Sequence, residues 1–114
     1  ELEKQNKLQI KQTEEFGGAF AQTAVENCYF PKVEKVGTFA FHNCPITALD
    51  RENFPALQTV GNHSFVGCSI TSINIPSLTS IGVQSFYGCK NLKQFSASQY
   101  LQFIGTGCFS CCPL

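Results

Sequence analysis

Seven cysteines and two histidines are the residues of this chain with types suited to chemistry. Cys44, Cys68, Cys89 and Cys112 follow one another at spacings of 24, 21 and 23 residues. A structural zinc site needs closely paired ligands, as in C-x-x-C beside histidines. These three spacings deliver one thiol at a time, so no metal is expected. His42 and His63 have no recurring acidic neighbour, and the chain has no P-loop, nucleophile elbow or paired carboxylates. Catalytic residues and cofactors are therefore expected to be absent, and with them a small-molecule substrate. Cys111 stands apart, in Cys111-Cys112-Pro113-Leu114. A Cys fourth from the end with Leu last resembles a prenylation box of the geranylgeranyl type. A lipid on Cys111 would tether the chain to a membrane as a cytoplasmic adaptor.

The elements that position these residues are repeats. One block reads Val36-Gly37-Thr38-Phe39-Ala40-Phe41-His42-Asn43-Cys44, and the next Val60-Gly61-Asn62-His63-Ser64-Phe65-Val66-Gly67-Cys68. Ile81-Gly82-Val83-Gln84-Ser85-Phe86-Tyr87-Gly88-Cys89 and Ile104-Gly105-Thr106-Gly107-Cys108-Phe109-Ser110-Cys111-Cys112 complete the set. In each, Phe stands five residues after the aliphatic, a small residue (Ala40, Ser64, Ser85 or Cys108) precedes it, and Cys follows three later. A degenerate copy runs Phe16-Gly17-Gly18-Ala19-Phe20-Ala21-Gln22-Thr23. The phased residues Phe20, Phe41, Phe65, Phe86 and Phe109 are spaced by 21, 24, 21 and 23, a solenoid period.

A second block alternates with the first. It reads Ile70-Thr71-Ser72-Ile73-Asn74-Ile75-Pro76-Ser77-Leu78, with counterparts at Val25 to Val33, Ile46 to Asp50 and Leu92 to Ala97. Apolar residues alternate at its end, as in a short strand with one buried face. Pro31, Pro55 and Pro76 close it, because proline cannot continue a ladder. Each repeat thus supplies one short strand, a turn and a Phe-bearing loop or helical turn. Stacking places strand on strand in a parallel sheet with Phe on Phe behind it. Burying one Phe stabilises by roughly 1.5–3 kcal/mol, so the phased Phe residues form the spine of the core. The Gly after each aliphatic either takes a backbone conformation closed to other residues or lets coils pack closely. Ser64 falls in the small buried slot, which discounts the glycosylation sequon Asn62-His63-Ser64. The phased cysteines read as buried small thiols. Matched coils lie only ~5 Å apart, but the parallel, matched side-chain directions disfavour bridges between them.

Composition narrows the function. The 114 residues suffice for one domain. Charged residues are 14% with a net charge of zero, which disfavours nucleic acid as a partner. No apolar run approaches the ~18 residues of a bilayer span. Met is absent, and no signal peptide opens the chain, so a processed chain or an excised piece of a longer one is expected. Seven of the sixteen charges lie in residues 1–15, which read as a capping segment; residues 16–112 are repeats and 113–114 a tail. From Asn53 onward only Lys90 and Lys93 are charged, leaving a neutral surface that favours association.

Ile70 to Cys89 resembles, almost position by position, the repeat of the BspA-like leucine-rich repeat family, roughly L-x-x-I-x-L-P-x-x-L-x-x-I-G-x-x-A-F-x-x-C. Val33 to Cys68 and Leu78 to Cys112 match with small insertions, including one near Arg51-Glu52-Asn53. The resemblance implies an α/β-type solenoid of about four to five repeats, a right-handed superhelix with a parallel sheet of short strands on its concave face. It also implies a non-enzymatic surface or adhesion-type protein that binds another protein, at the cell surface or as a peripheral membrane protein.

Strand residues between buried apolar ones point outward. They are Asn27 and Tyr29, Ala48 and Asp50, Ser72 and Asn74, Gln94 and Ser96. The partner-binding residues expected on the concave face are therefore Asn27, Tyr29, Asp50, Asn74 and Ser96, with Tyr29 the one aromatic anchor. The alternatives are a structural spacer without a ligand of its own and the cytoplasmic adaptor lipidated at Cys111.

Overall fold

Hydrogen bonds reach from each repeat to the next at matched positions, and these bonds define the architecture. The computed structural model describes residues 29–114. Phe20, Asn27, Cys28, the degenerate copy and the proposed capping segment lie outside the described residues. The strands are β1 (Lys35–Val36), β2 (Ala48–Asp50), β3 (Thr59–Val60), β4 (Ser72–Asn74), β5 (Ser80–Ile81), β6 (Gln94–Ser96) and β7 (Phe103–Ile104). They form two sheets, ordered β1-β3-β5-β7 and β2-β4-β6, and every pairing is parallel. The described residues make a β-solenoid of about three turns.

This corrects two expectations. The single parallel sheet is two, because each coil contributes a second strand of two residues immediately before its Gly. Nor does any helix occur among the described residues, so the α/β-type reading gives way to an all-β solenoid. The Phe-bearing segment has a physical reason not to be helical. Its N–H groups alternate between two uses. Ala40, His42 and Cys44 donate within the coil to Gly37, Phe39 and Phe41, three residues back. Phe39, Phe41 and Asn43 donate instead to Asn62, Ser64 and Val66 of the next coil, at 3.2, 2.8 and 2.7 Å. A helix would commit all of them to i→i−4 bonds. The same alternation repeats at Ser64 and Phe65 and at Ser85 and Phe86.

Positive φ values mark the same segment. Phe39, His63, Gln84 and Gly107 occupy one repeat position, with φ of 60°, 58°, 52° and 66°. Asn43, Gly67, Gly88 and Cys111 occupy another, with φ of 59°, 71°, 72° and 63°. With the i→i−3 bonds, this is the left-handed third residue that a type II turn requires. The glycines after the aliphatics serve the other purpose. A Cβ on Gly61 would stand 2.6 Å from the Val36 carbonyl oxygen, and one on Gly105 would stand 2.5 Å from the backbone of Gly82 and Val83. Neither has a positive φ, so close packing of coils, not backbone conformation, demands these glycines.

The core lies between the sheets and the turn stack. Phe41, Phe65 and Phe86 are fully buried, and Phe41, Phe65, Phe86 and Phe109 stack face to face. Their centroids are 5.2, 5.4 and 5.8 Å apart, with interplanar angles of 6°, 9° and 7°. Leu49 and Ile73 fill the strand row opposite and are in register with Phe95. The small slot is closed at Ala40, Ser64, Ser85 and Cys108. Ser64 is fully buried and its hydroxyl donates to the Gly61 carbonyl at 2.8 Å, consistent with discounting the sequon.

Candidate functional site

The cysteine column is built into the core. Cys68, Cys89 and Cys112 donate S–H hydrogen bonds to the carbonyls of Phe41, Phe65 and Phe86 in the preceding coil, at 3.0, 3.1 and 3.1 Å. The same carbonyls accept the backbone N–H of Cys44, Cys68 and Cys89. Phe41, Phe65 and Phe86 are therefore each held through the carbonyl by their own coil and by the next. A thiol fits this slot as a small apolar group that can still donate weakly. Burial pushes the Cys68, Cys89 and Cys108 thiols up to about 12, and raises Cys112 as well. All six described cysteines are free thiols.

Cys111 is exposed, in the turn column with Asn43, Gly67 and Gly88. The neighbouring Cys111 thiol raises the exposed Tyr87 hydroxyl above its ordinary range. A thiol-reactive probe at neutral pH is expected to label Cys111 in the native fold first, with Cys44, Cys68, Cys89 and Cys108 protected until unfolding. Mass spectrometry of brief alkylation checks this; early labelling at Cys68 or Cys89 would contradict the packing described.

The expected binding residues sit as follows. Ala48, Ser72 and Gln94 are in register on β2, β4 and β6, as are Asp50, Asn74 and Ser96. Leu49 and Ile73 between them are buried while Asn74, Gln94 and Ser96 are exposed, so the outward alternation holds. Tyr29 is 42% exposed and lies before the first described strand. Its neighbour Phe30 donates to the Asn53 carbonyl at 2.8 Å and packs on Phe54.

Asp50 carries a role that the sequence reading missed. Its carboxylate accepts the N–H of Glu52 at 2.9 Å and of Asn53 at 3.3 Å. Asn53, nearly buried, returns the bond: its Oδ1 accepts Asp50 N–H at 2.7 Å and its Nδ2 donates to the Ala48 carbonyl at 2.8 Å. The insertion Arg51-Glu52-Asn53 is thus a closed loop fixed by a reciprocal Asp–Asn pair, in the manner of an Asx turn. An Asn three residues after Asp50, at the end of the insertion, was the available signal.

The turn side holds a cluster that no motif announced. Phe39 is 44% exposed and stacks on His63, with centroids 5.0 Å apart and planes at 13°, while His42 tilts against it at 5.6 Å. His63 Nε2 pairs with Gln84 Oε1 at 2.9 Å. His63 is therefore a packed surface histidine.

Residues 17–114 match the model of the BspA type leucine-rich repeat region, in six copies. The chain belongs to the BspA-type leucine-rich repeat family. The family is typically non-catalytic, and no enzyme homologue was found. No curated protein and no solved structure matches the chain. The six copies of the BspA-type match exceed the four to five repeats counted from the phased Phe residues. Among the described residues no helix of this BspA-type module is long and apolar enough to cross a membrane.

Proposed function

We propose that this BspA-type module is a protein-interaction or adhesion element that binds through the outward face of the β2-β4-β6 sheet, the face expected to be concave. The observation that supports the reading is the in-register array of small and polar side chains. Ala48, Ser72 and Gln94 form one row and Asp50, Asn74 and Ser96 the next, over the buried Leu49 and Ile73. A rigid array of short polar side chains presents donors and acceptors at little entropic cost. BspA-type repeats are often found in surface proteins, which fits an extracellular partner. Tyr29 supplies the aromatic anchor at the edge of this face. Asp50, half-buried and committed to its loop, supplies a fixed acceptor surface and not a mobile charge.

The turn face is a second reading, favoured by the exposed Phe39 stacked on His63. One experiment separates the two. A photoreactive group at Asn74 captures the partner from cell surfaces, and calorimetry then compares variants. Tyr29→Ala is expected to weaken binding by about 1–2 kcal/mol or more, with the fold intact. Binding should also vary little with salt, because the face is nearly uncharged. His63→Ala should leave affinity unchanged. The reverse pattern would move the working surface to the turn side, and capture of no partner would leave the module a spacer.

A further inference from the structure

The connections that run from the β2-β4-β6 sheet to the β1-β3-β5-β7 sheet enclose a shallow groove of about 490 Å³, away from the strand face discussed above. Its walls come from three successive coils. Gln58, Thr79 and Gln102 hold one repeat position, tied by backbone bonds from Thr79 N–H to the Gln58 carbonyl at 2.7 Å and from Gln102 N–H to the Thr79 carbonyl at 2.8 Å. Ser77 and Tyr100 hold the adjoining position, with Gln99 beside Tyr100 and half-buried Leu101 between Tyr100 and Gln102.

The polar groups of the groove are ordered and uncharged. The Thr79 hydroxyl donates to the Gln58 carbonyl at 2.9 Å and the Ser77 hydroxyl to the Leu57 carbonyl at 2.7 Å. Their protons are committed, which leaves their lone pairs as acceptors. The side-chain carboxamides of Gln58, Gln99 and Gln102 have no partner among the described residues, so each offers donors and an acceptor to a ligand. Tyr100 is 57% exposed, and its backbone is fixed. Ser98 Oγ accepts the Tyr100 N–H at 2.9 Å and donates to the Pro76 carbonyl at 2.9 Å, while Leu101 N–H closes on the Ser98 carbonyl. An exposed aromatic ring on a fixed backbone thus stands beside three free amides and two oriented hydroxyls.

We infer that this groove is a subsite for a neutral saccharide, with the Tyr100 ring as platform and Gln58, Gln99 and Gln102 as hydrogen-bonding groups. The chemistry selects that class. No carboxylate, ammonium or guanidinium lines the groove, so an ionic ligand finds no counter-charge. A sugar ring carries hydroxyls at its edge that both donate and accept, which matches carboxamides. Its C–H face carries slight positive charge, which matches the negative face of an aromatic ring. The polar column repeats once per coil, ~5 Å apart. An extended oligosaccharide lying along the solenoid axis would meet one such group for each coil it crosses.

The test uses the full chain with cellotetraose, chitotetraose and maltotetraose as probes at millimolar concentration. Nitrogen–proton spectra follow the side-chain amide signals of Gln58, Gln99 and Gln102. At least one probe is expected to shift these signals with little dependence on salt. Tyr100→Ala should weaken that probe tenfold or more and Gln102→Ala several-fold, while Lys93→Ala leaves it unchanged. All three residues are exposed, and an unchanged spectrum elsewhere establishes that each variant is folded. Silence of the three amides with every probe overturns the inference, as does binding that survives Tyr100→Ala. Shifts at the same amides produced only by charged oligosaccharides or by peptides overturn the neutral-saccharide assignment.

Discussion

Replacing Phe65 by Ala is expected to lower the unfolding free energy by about 3–5 kcal/mol, measured by urea denaturation with the slope unchanged. Phe65 has no exposed surface and lies between two parallel rings, Phe41 at 5.2 Å and Phe86 at 5.4 Å. Truncation removes both aromatic contacts and leaves a void bounded by coils whose backbones are tied together. The bonds from Phe65 N–H to Ser85 and from Cys89 to the Phe65 carbonyl do not depend on the ring, so collapse around the void is restricted. A domain of this size holds about 5–15 kcal/mol in all, so the loss is a large share of it. In a solenoid, stability depends on nearest-neighbour coupling, and Phe65 is the coupling between two coils. Phe65→Leu retains most of the buried area and should cost clearly less. A loss under about 1 kcal/mol for Phe65→Ala would show that the stack does not hold the coils.

Alkaline pH is expected to be the second large perturbation. Burial raises the Cys68 and Cys89 thiols from 9.0 to about 12. The folded state therefore keeps both protons where the unfolded state has released them. Where the native state binds more protons, stability falls as pH rises. The stabilising contribution is complete below pH 9 and declines between 9 and 12. Each thiol contributes about 1.4 kcal/mol per pH unit within that window, so the pair lowers stability by about 2–3 kcal/mol between pH 8 and pH 10. Denaturation under reducing conditions at the two pH values measures the difference. The double variant Cys68→Ser, Cys89→Ser retains hydroxyl donors for the Phe41 and Phe65 carbonyls but has no group that ionises there. Its profile should be flatter by about that amount; equal profiles would be falsifying.

The positions that bury a side chain were legible in the residues themselves. A coil repeats its environment every 21 to 24 residues, so Phe41, Phe65, Phe86 and Phe109 announce the stack, Ala40, Ser64, Ser85 and Cys108 the tight slot, and Cys44, Cys68, Cys89 and Cys112 the thiol column. The outward pattern of β4, with Ser72 and Asn74 around Ile73, follows from alternation alone.

What neighbouring coils do for one another was settled only in three dimensions. Strands of two residues, such as Thr59–Val60 and Ser80–Ile81, are too short to alternate, so the second sheet left no periodic trace. The Phe-bearing turn stays unwound because Phe41 and Phe65 send their N–H groups to residues 23 and 20 positions on, Ser64 and Ser85, an arrangement that local propensity does not encode. Gly61 is required by the carbonyl of Val36, and Asp50 is committed to Glu52 and Asn53 by the way an insertion closes. The groove beside Tyr100 exists because three coils bring Gln58, Thr79 and Gln102 into one column. The repeated residues carry the phase of burial along the chain. The partners of each hydrogen bond, and the surfaces those bonds leave open, depend on the register between coils, which only the folded chain sets.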